Sequence, residues 1–295
     1  MRESLLLVLR WDYSLNRGIK EAMEAVDDRR LTVSAEISEL LGVRIDLVSL
    51  KQLSELFRCP RTSLSSPLHI VTLNINFLTL ARRHKDLAPV LNSAGLVVAD
   101  GRILLWLLRL LGLRPPDQIT GHDLFDLAVE NASREGTGIF LLGGAEGVAV
   151  SLAQKLQERF PSGRFFGTNH GEFDLHGHAS GNSELITQIR SFDPTYLFVA
   201  LGCPKQERWI SANLSAAGVP IAVGVGCVFD VADGRLPRAP KWIQLAGLES
   251  GFQILVAPGR YARRYIFDDP PTVFAALRDI WRQRRISGTS KELIR

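Results

Sequence analysis

From position 43 onward, short runs of consecutive apolar residues alternate with longer stretches in which apolar residues return every three or four positions. Tyr196-Leu-Phe-Val-Ala-Leu201, bounded by Pro194 and Gly202, reads as a strand buried on both faces. His69 to Leu73, Leu96 to Ala99, Gly138 to Leu142, Arg164 to Thr168 and Pro220 to Val225 read as further strands, and Ile45 and Leu47 alternate as a strand would. Between them lie helical patterns. Ser49 and Gln52 make a capping box for a helix buried through Leu50, Leu53 and Phe57. Later helices are read over Phe77 to Lys85, Leu87 to Asn92, Ile103 to Leu111, the stretch after Thr120-Gly-His-Asp123 to about Arg134, the stretch after Gly147 to Arg159, and Gln206 to Ala216. About seven strands alternating with helices predict an α/β fold with a Rossmann-like, doubly wound, mostly parallel sheet.

The two ends break this pattern. Residues 1–42 mix both charge signs around weak helical patterns (Ile19 to Val26, Ala35 to Leu41) and read as an N-terminal helical extension to a domain spanning 43–253. Residues 254–295 form a C-terminal basic helical appendage in which Arg260, Arg263, Arg264, Arg278 and Arg282 are interspersed with Tyr261, Tyr265, Phe267, Phe274 and Trp281. Such a mixture suits adsorption to an anionic membrane surface, or a polar helix closing over the fold.

Charge narrows the choice of partner. A net charge of +4 spread along 295 residues is too diffuse to imply nucleic acid, and no basic and aromatic residues interleave in a nucleic-acid-binding motif. The three cysteines, Cys59, Cys203 and Cys227, are odd in number and lack metal spacing, which favours a reduced, cytoplasmic setting. Leu5 to Leu9 is too short for a signal-peptide core, and Ile103 to Leu113 is too short to span a bilayer and contains Arg109. Exposed apolar helices would favour self-association into a homo-oligomer.

Ligands of open α/β sheets gather at the carboxyl ends of strands, so the residues closing each run are the candidates for chemistry. After the central run, Gly202 permits a tight turn, Pro204 suits a helix's first turn, and Lys205, Gln206 and Glu207 stand where a ligand would meet that helix; the same cluster also fits a solvated face. Asp100-Gly101 closes another run, a good general-base position and also a common turn pair. Thr72 and Asn74 fit turn and cap roles. Gly143-Gly144, followed by Gly147, would let a phosphate approach the backbone, without the full dinucleotide fingerprint. Asp123 complements a helix N-terminus, His122 has no metal partner at a standard spacing, and Gly226 with Asp230 fits ligand contact or tight packing. No Asp-x-Asp motif marks a divalent-ion site, so no metal or cofactor is expected. Two classes are consistent with these features: a nucleotide-binding oxidoreductase, from the glycine turn, and a non-catalytic, membrane-associated scaffold using Ile103 to Leu111 and the C-terminal tail as contact surfaces.

Taken in order, Thr72-x-Asn74, Ala99-Asp-Gly101, Ile119-Thr-Gly-x-Asp123, Phe140-Leu-Leu-Gly-Gly144, Gly202-x-Pro-Lys-Gln-Glu-x-Trp209, Gly224-Val-Gly226 with Phe229-Asp230, and Arg238-Ala-Pro-Lys-Trp242 resemble the WecG/TagA/CpsF glycosyltransferase family. The likeness covers about residues 43 to 266. It implies a metal-independent, inverting transferase in cell-surface polysaccharide biosynthesis, peripheral on the cytoplasmic face of the membrane. The sugar, of the N-acetylmannosamine, N-acetylmannosaminuronic acid or glucuronic acid type, would pass from a UDP-sugar to a polyprenyl-diphosphate-linked saccharide. The resemblance puts the catalytic base on Asp100, substrate contacts on Thr72 and Asn74, and the active-site glutamine on Gln206. Arg260, Arg263 and Arg264 correspond to the appendage arginines that complete the site. Three departures stand out: Gln118 where the family commonly has arginine, Ser250 in place of tryptophan, and Gln253 in place of arginine.

Overall fold

The computed structural model describes residues 36–58, 64–169, 172–240, 243 and 249–292. They fall within one unit, residues 35–295, which is described by itself. The helix expected over Ile19 to Val26 and the Cys59-Pro60 loop lie outside the described residues.

The first described element is a hairpin. β1 (Glu36–Leu40) and β2 (Val43–Leu47) pair antiparallel in the register Leu40 to Val43. Leu41 and Gly42 between them both have positive φ, 53° and 80°, the backbone that matches a two-residue turn to the twist of its strands. The helix expected over Ala35 to Leu41 is therefore corrected to a strand and turn. α1 (Leu50–Arg58) follows, capped reciprocally as the Ser49/Gln52 pattern predicts, at 2.8 and 3.2 Å.

β3 (Leu68–Leu73), β4 (Leu96–Ala99), β5 (Gly138–Gly143), β6 (Arg164–Thr168), β7 (Tyr196–Ala200) and β8 (Ile221–Gly224) form the main sheet. All its pairs are parallel, in the order β4-β3-β8-β7-β5-β6. Between the strands run α2 (Ile75–Arg83), α3 (Leu87–Asn92), α4 (Arg102–Leu110), α5 (Gly121–Glu135), α6 (Val148–Arg159), α7 (Asn182–Phe192) and α8 (Lys205–Ala217), and the single turn α9 (Val228–Ala232) follows β8. Both faces of the sheet are covered, which is why its strands read as unbroken apolar runs. On β7, Leu197 and Val199 enter a core with Ile189, Trp209 and Leu214, while Tyr196 stacks on Phe57 and Phe198 meets Phe125 edge-on on the other face. The chain builds β3 and β4 outward to one edge, crosses to β5 and β6, and returns through β7 to β8. The first and last strands of the sheet thus lie side by side, and the crevice at such a reversal is where open sheets bind ligands.

The hairpin guards the β4 edge. Asp46, 4% exposed, accepts the Val97 N–H at 2.8 Å and pairs with Arg44 at 3.0 Å, while Arg44 donates to the Ala94 and Gly95 carbonyls at 2.7 and 3.1 Å. Side chains here take over the ladder bonds that an edge strand leaves open.

The C-terminal part comprises α10 (Glu249–Val256), α11 (Pro258–Arg263), a π-helical turn (Arg264–Asp268) and α12 (Pro270–Glu292). It packs into the domain: Ala276 and Ile280 join a core with Leu40, Leu78, Leu104 and Leu108, and Asp279 accepts the Leu41 N–H at 3.0 Å. Among the described residues, no helix is long and apolar enough to cross a membrane. Replacing Asp46 with alanine removes a buried partner of Arg44 and the Val97 acceptor together, and should cost about 3 kcal/mol in urea denaturation. Asp46→Asn, which keeps an acceptor, should cost less.

Candidate active site

The carboxyl ends of β3 and β4 are laced together. The Asp100 N–H donates to the Leu73 carbonyl at 2.7 Å, and the Ile119 N–H to the Ala99 carbonyl at 3.0 Å. Gly101, at φ 87°, then turns the chain into α4 in a backbone region that side-chain-bearing residues rarely adopt. The second of these bonds brings Gln118 alongside, its Nε2 at 3.5 Å from Asp100 Oδ1. On β3, Thr72 is buried, and Asn74 caps α2 by accepting the Asn76 N–H at 3.1 Å.

The ends of β7 and β8 are joined by one amide. Gln206, in the first turn of α8 and 2% exposed, accepts the Gly202 N–H at 3.0 Å and the Gly226 N–H at 3.2 Å through Oε1. Its Nε2 donates to Glu207 Oε1 at 2.7 Å.

Above these strand ends opens a cleft of about 610 Å³, within the range of small-ligand sites. Thr72, Asn74, Asp100, Gly101, Gln206, Gly226 and Arg264 all line it. Arg264 reaches in from the π-helical turn, donating to Asn74 Oδ1 and Asp269 Oδ2, both at 3.3 Å, and lying over the Tyr265 ring at 4.8 Å. Asp269 in turn accepts from Thr79 Oγ1 at 3.0 Å, and Thr79 meets Thr272 at 2.9 Å, so the arginine is braced from α2 and α12 at once. Burial pushes the Asp269 carboxyl up, against the pull of Arg264.

The WecG/TagA/CpsF glycosyl transferase family model matches residues 38–286. The chain belongs to this glycosyltransferase family. It is 29% identical over 239 residues to an N-acetylglucosaminyldiphosphoundecaprenol N-acetyl-beta-D-mannosaminyltransferase of Staphylococcus aureus (strain NCTC 8325 / PS 47), covering 81% of this chain and 91% of that protein. It is 28% identical over 194 residues to the like-named protein of Bacillus subtilis (strain 168), covering 66% of this chain and 73% of that one. Membership in a glycosyltransferase family sets aside the oxidoreductase and scaffold readings.

Several residues expected in the site of this glycosyltransferase do not line the cleft. Asp123 closes a reciprocal capping box with Thr120, at 2.8 and 3.2 Å. At Gly143 a Cβ would press on Leu201 and the Ala200 carbonyl, and Gly144 beside it stands at φ 83°, so glycine here serves the packing and backbone of this turn. Pro204 is buried at the N-cap of α8, and Lys205 Nζ is spent on the Phe173 carbonyl at 2.7 Å. The Asp230 carbonyl takes the Arg235 and Leu236 N–H groups at 2.9 and 3.0 Å. Arg263 is 85% exposed beside Asp268, and the Arg260 side chain lies outside the described residues. Glu207 is buried behind Gln206.

The cleft wall also holds His122, Cys203, Tyr261, Tyr265 and Gln253. Burial, reinforced by Arg238, lowers His122 to about 4, so its imidazole is neutral near pH 7. Burial pushes the Cys203 thiol well up, with Glu207 adding to the effect, so it stays protonated and is no nucleophile. Tyr261 and Tyr265 had a legible signal in their four-residue spacing around Arg264, the spacing of one helix face. Gln118 and Gln253 both line the cleft, and Tyr265 donates to Gln253 at 2.7 Å.

Burial raises the Glu207 carboxyl from 4.5 to about 7. In that window the folded chain holds a proton that the unfolded chain has lost, so this group's contribution to stability falls as pH rises. The stability of the wild type relative to Glu207→Gln should therefore drop by about 3 kcal/mol between pH 4.5 and 7, read from denaturation midpoints. The opposite contribution of buried His69, lowered to about 3, is common to both proteins and cancels.

Proposed function

We propose that this enzyme is an inverting, metal-independent transferase that moves a sugar from a UDP-sugar to a polyprenyl-diphosphate-linked saccharide in cell-surface polysaccharide biosynthesis, working peripherally at the cytoplasmic membrane face. The observation that carries this reading is the shared cleft. A carboxylate, Asp100, a hydroxyl, Thr72, an amide, Asn74, and a guanidinium, Arg264, come from three segments of the chain to line one space. The relatives' names favour N-acetylmannosamine over its uronic acid or glucuronic acid as the sugar moved, and an undecaprenyl-diphosphate-linked N-acetylglucosamine as acceptor.

The chemistry follows from the charges. An acceptor hydroxyl is a weak nucleophile, so Asp100 takes its proton as the oxygen attacks the anomeric carbon. The bond from that carbon to the diphosphate oxygen breaks on the opposite face, and its electron pair leaves with UDP, inverting the centre. Charge grows on the leaving diphosphate, and Arg264, held by Asp269 and Asn74 before substrate arrives, supplies a fixed countercharge. Thr72 and Asn74 orient the sugars. Gln118 in place of arginine puts a neutral donor beside Asp100.

The route to a lipid acceptor is supported by the appendage surface. Leu255 and Phe267 are 82% and 71% exposed, Ile266, Phe274 and Trp281 are exposed with them, and on α4 so are Ile103 and Trp106. Arg285 lies over Trp281 at 3.6 Å. Apolar side chains interspersed with arginines fit the headgroup region of an anionic bilayer.

Incubating the protein with UDP-N-acetylmannosamine, its uronic acid or UDP-glucuronic acid and a short-chain lipid-diphosphate acceptor should release UDP only when acceptor is present, and EDTA should leave the rate unchanged. Asp100→Asn should lower kcat about a thousand-fold while UDP still binds; an active Asp100→Asn enzyme refutes the assignment. Replacing Phe267 and Phe274 with aspartate should weaken flotation with anionic vesicles about tenfold or more, and undiminished flotation would rule this face out.

A further inference from the structure

Glu207 is a buried acid, 1% exposed, in the first turn of α8, and no step of the transfer uses it. Its setting is defined by Gln206. The two ends of a glutamine amide have nearly the same shape, and only their hydrogen bonds tell them apart. Here Oε1 meets two donors, the Gly202 and Gly226 N–H groups at 3.0 and 3.2 Å, and Nε2 meets one acceptor, Glu207 Oε1 at 2.7 Å. Turned over, the amide would set N–H against N–H on one side and oxygen against oxygen on the other. The Cys203 thiol also lies against this carboxyl, and Gly224 leaves room for the pair: a Cβ there would stand 2.5 Å from Gln206 Nε2 and 2.6 Å from Glu207 Oε1.

We propose that Glu207 is a positioning residue, whose buried carboxyl holds Gln206 in the one orientation that ties the loop after β7 to the loop after β8, and so sets the shape of the cleft wall. The inference rests on the transferase reading for its effect on turnover, but not for the tie itself. Glu207 does not line the cleft, which separates it from the residues that touch substrate. An acceptor oxygen is what the position requires. Glutamine at 207 provides one, whereas methionine fills the volume and provides none.

The test uses the full chain and four variants: Glu207→Gln, Glu207→Met, Gln206→Glu, and the exchanged pair Gln206→Glu with Glu207→Gln. Amide hydrogen exchange at Gly202 and Gly226 is read by NMR alongside melting temperature, kcat and donor KM. Glu207→Gln should keep both amides protected and kcat within about threefold of the wild type. Glu207→Met should speed exchange at both glycines and lower kcat by about tenfold or more. Gln206→Glu sets two acids against each other and should lose protection. The exchanged pair restores all three hydrogen bonds, with donor and acceptor reversed only in the one between 206 and 207, and should recover protection even if Glu207→Met fails to fold. The proposal is overturned if Glu207→Gln is as damaging as Glu207→Met, if both glycines stay protected in a folded Glu207→Met protein, or if the exchanged pair recovers nothing. A wild-type chain inactive with every UDP-sugar would sink the transferase reading alone, because exchange reports the tie without turnover.

Discussion

A parallel sheet ends each strand in main-chain groups that its neighbours cannot satisfy, and the site depends on how this edge is closed. β3 and β4 are closed by main chain, through the Leu73 and Ala99 carbonyls, and this places Asp100 and Gln118 side by side. β7 and β8 are closed by a side chain, Gln206, which takes the two glycine amides that would otherwise point into the crevice. Those amides are therefore already in use, and in the proposed transfer the countercharge for the leaving diphosphate falls to Arg264.

Arg264 comes from outside the sheet, and its placement depends on packing far from any ligand. Ala276 and Ile280 embed α12 beside the hairpin and α4, Asp279 grips the hairpin turn, and Thr79, Thr272 and Asp269 make a buried polar contact that no purely apolar helix face would supply. An arginine held in this way has lost its rotamer freedom before substrate binds, so in the proposed transfer its charge acts without a further ordering cost. The same segment carries the exposed aromatic side chains, so one element serves the cleft on its inner side and an apolar surface on its outer side.

Where expectation and structure part, the cause is geometric. Lys205, Gln206 and Glu207 are consecutive on a helix, about 100° apart around its axis, so one facing the cleft turns the other two away. The Gly143-Gly144 turn carries a ligand-like pattern, but its glycines answer to neighbouring backbone and side chains. α7 went unread because its sequence is mostly polar and buries only Leu185 and Ile189, one turn apart. The hairpin was hidden by Leu41, a residue that turn chemistry does not favour at positive φ.

By itself the chain's pattern determined the strands of the main sheet, the alternation that makes that sheet parallel, and the strand ends at which Thr72, Asn74, Asp100 and Gln206 stand. Burial on both faces and glycine at the turns write themselves into local composition, and local composition can be read in order. Tertiary structure alone decided which strand ends meet, that an arginine 190 residues from Asn74 completes the cleft, and that a turn at Leu41 answers to an aspartate 238 residues away. Contacts between residues so distant in the chain leave no periodicity behind, because each is made by a single side chain whose partner is chosen only when the layers pack.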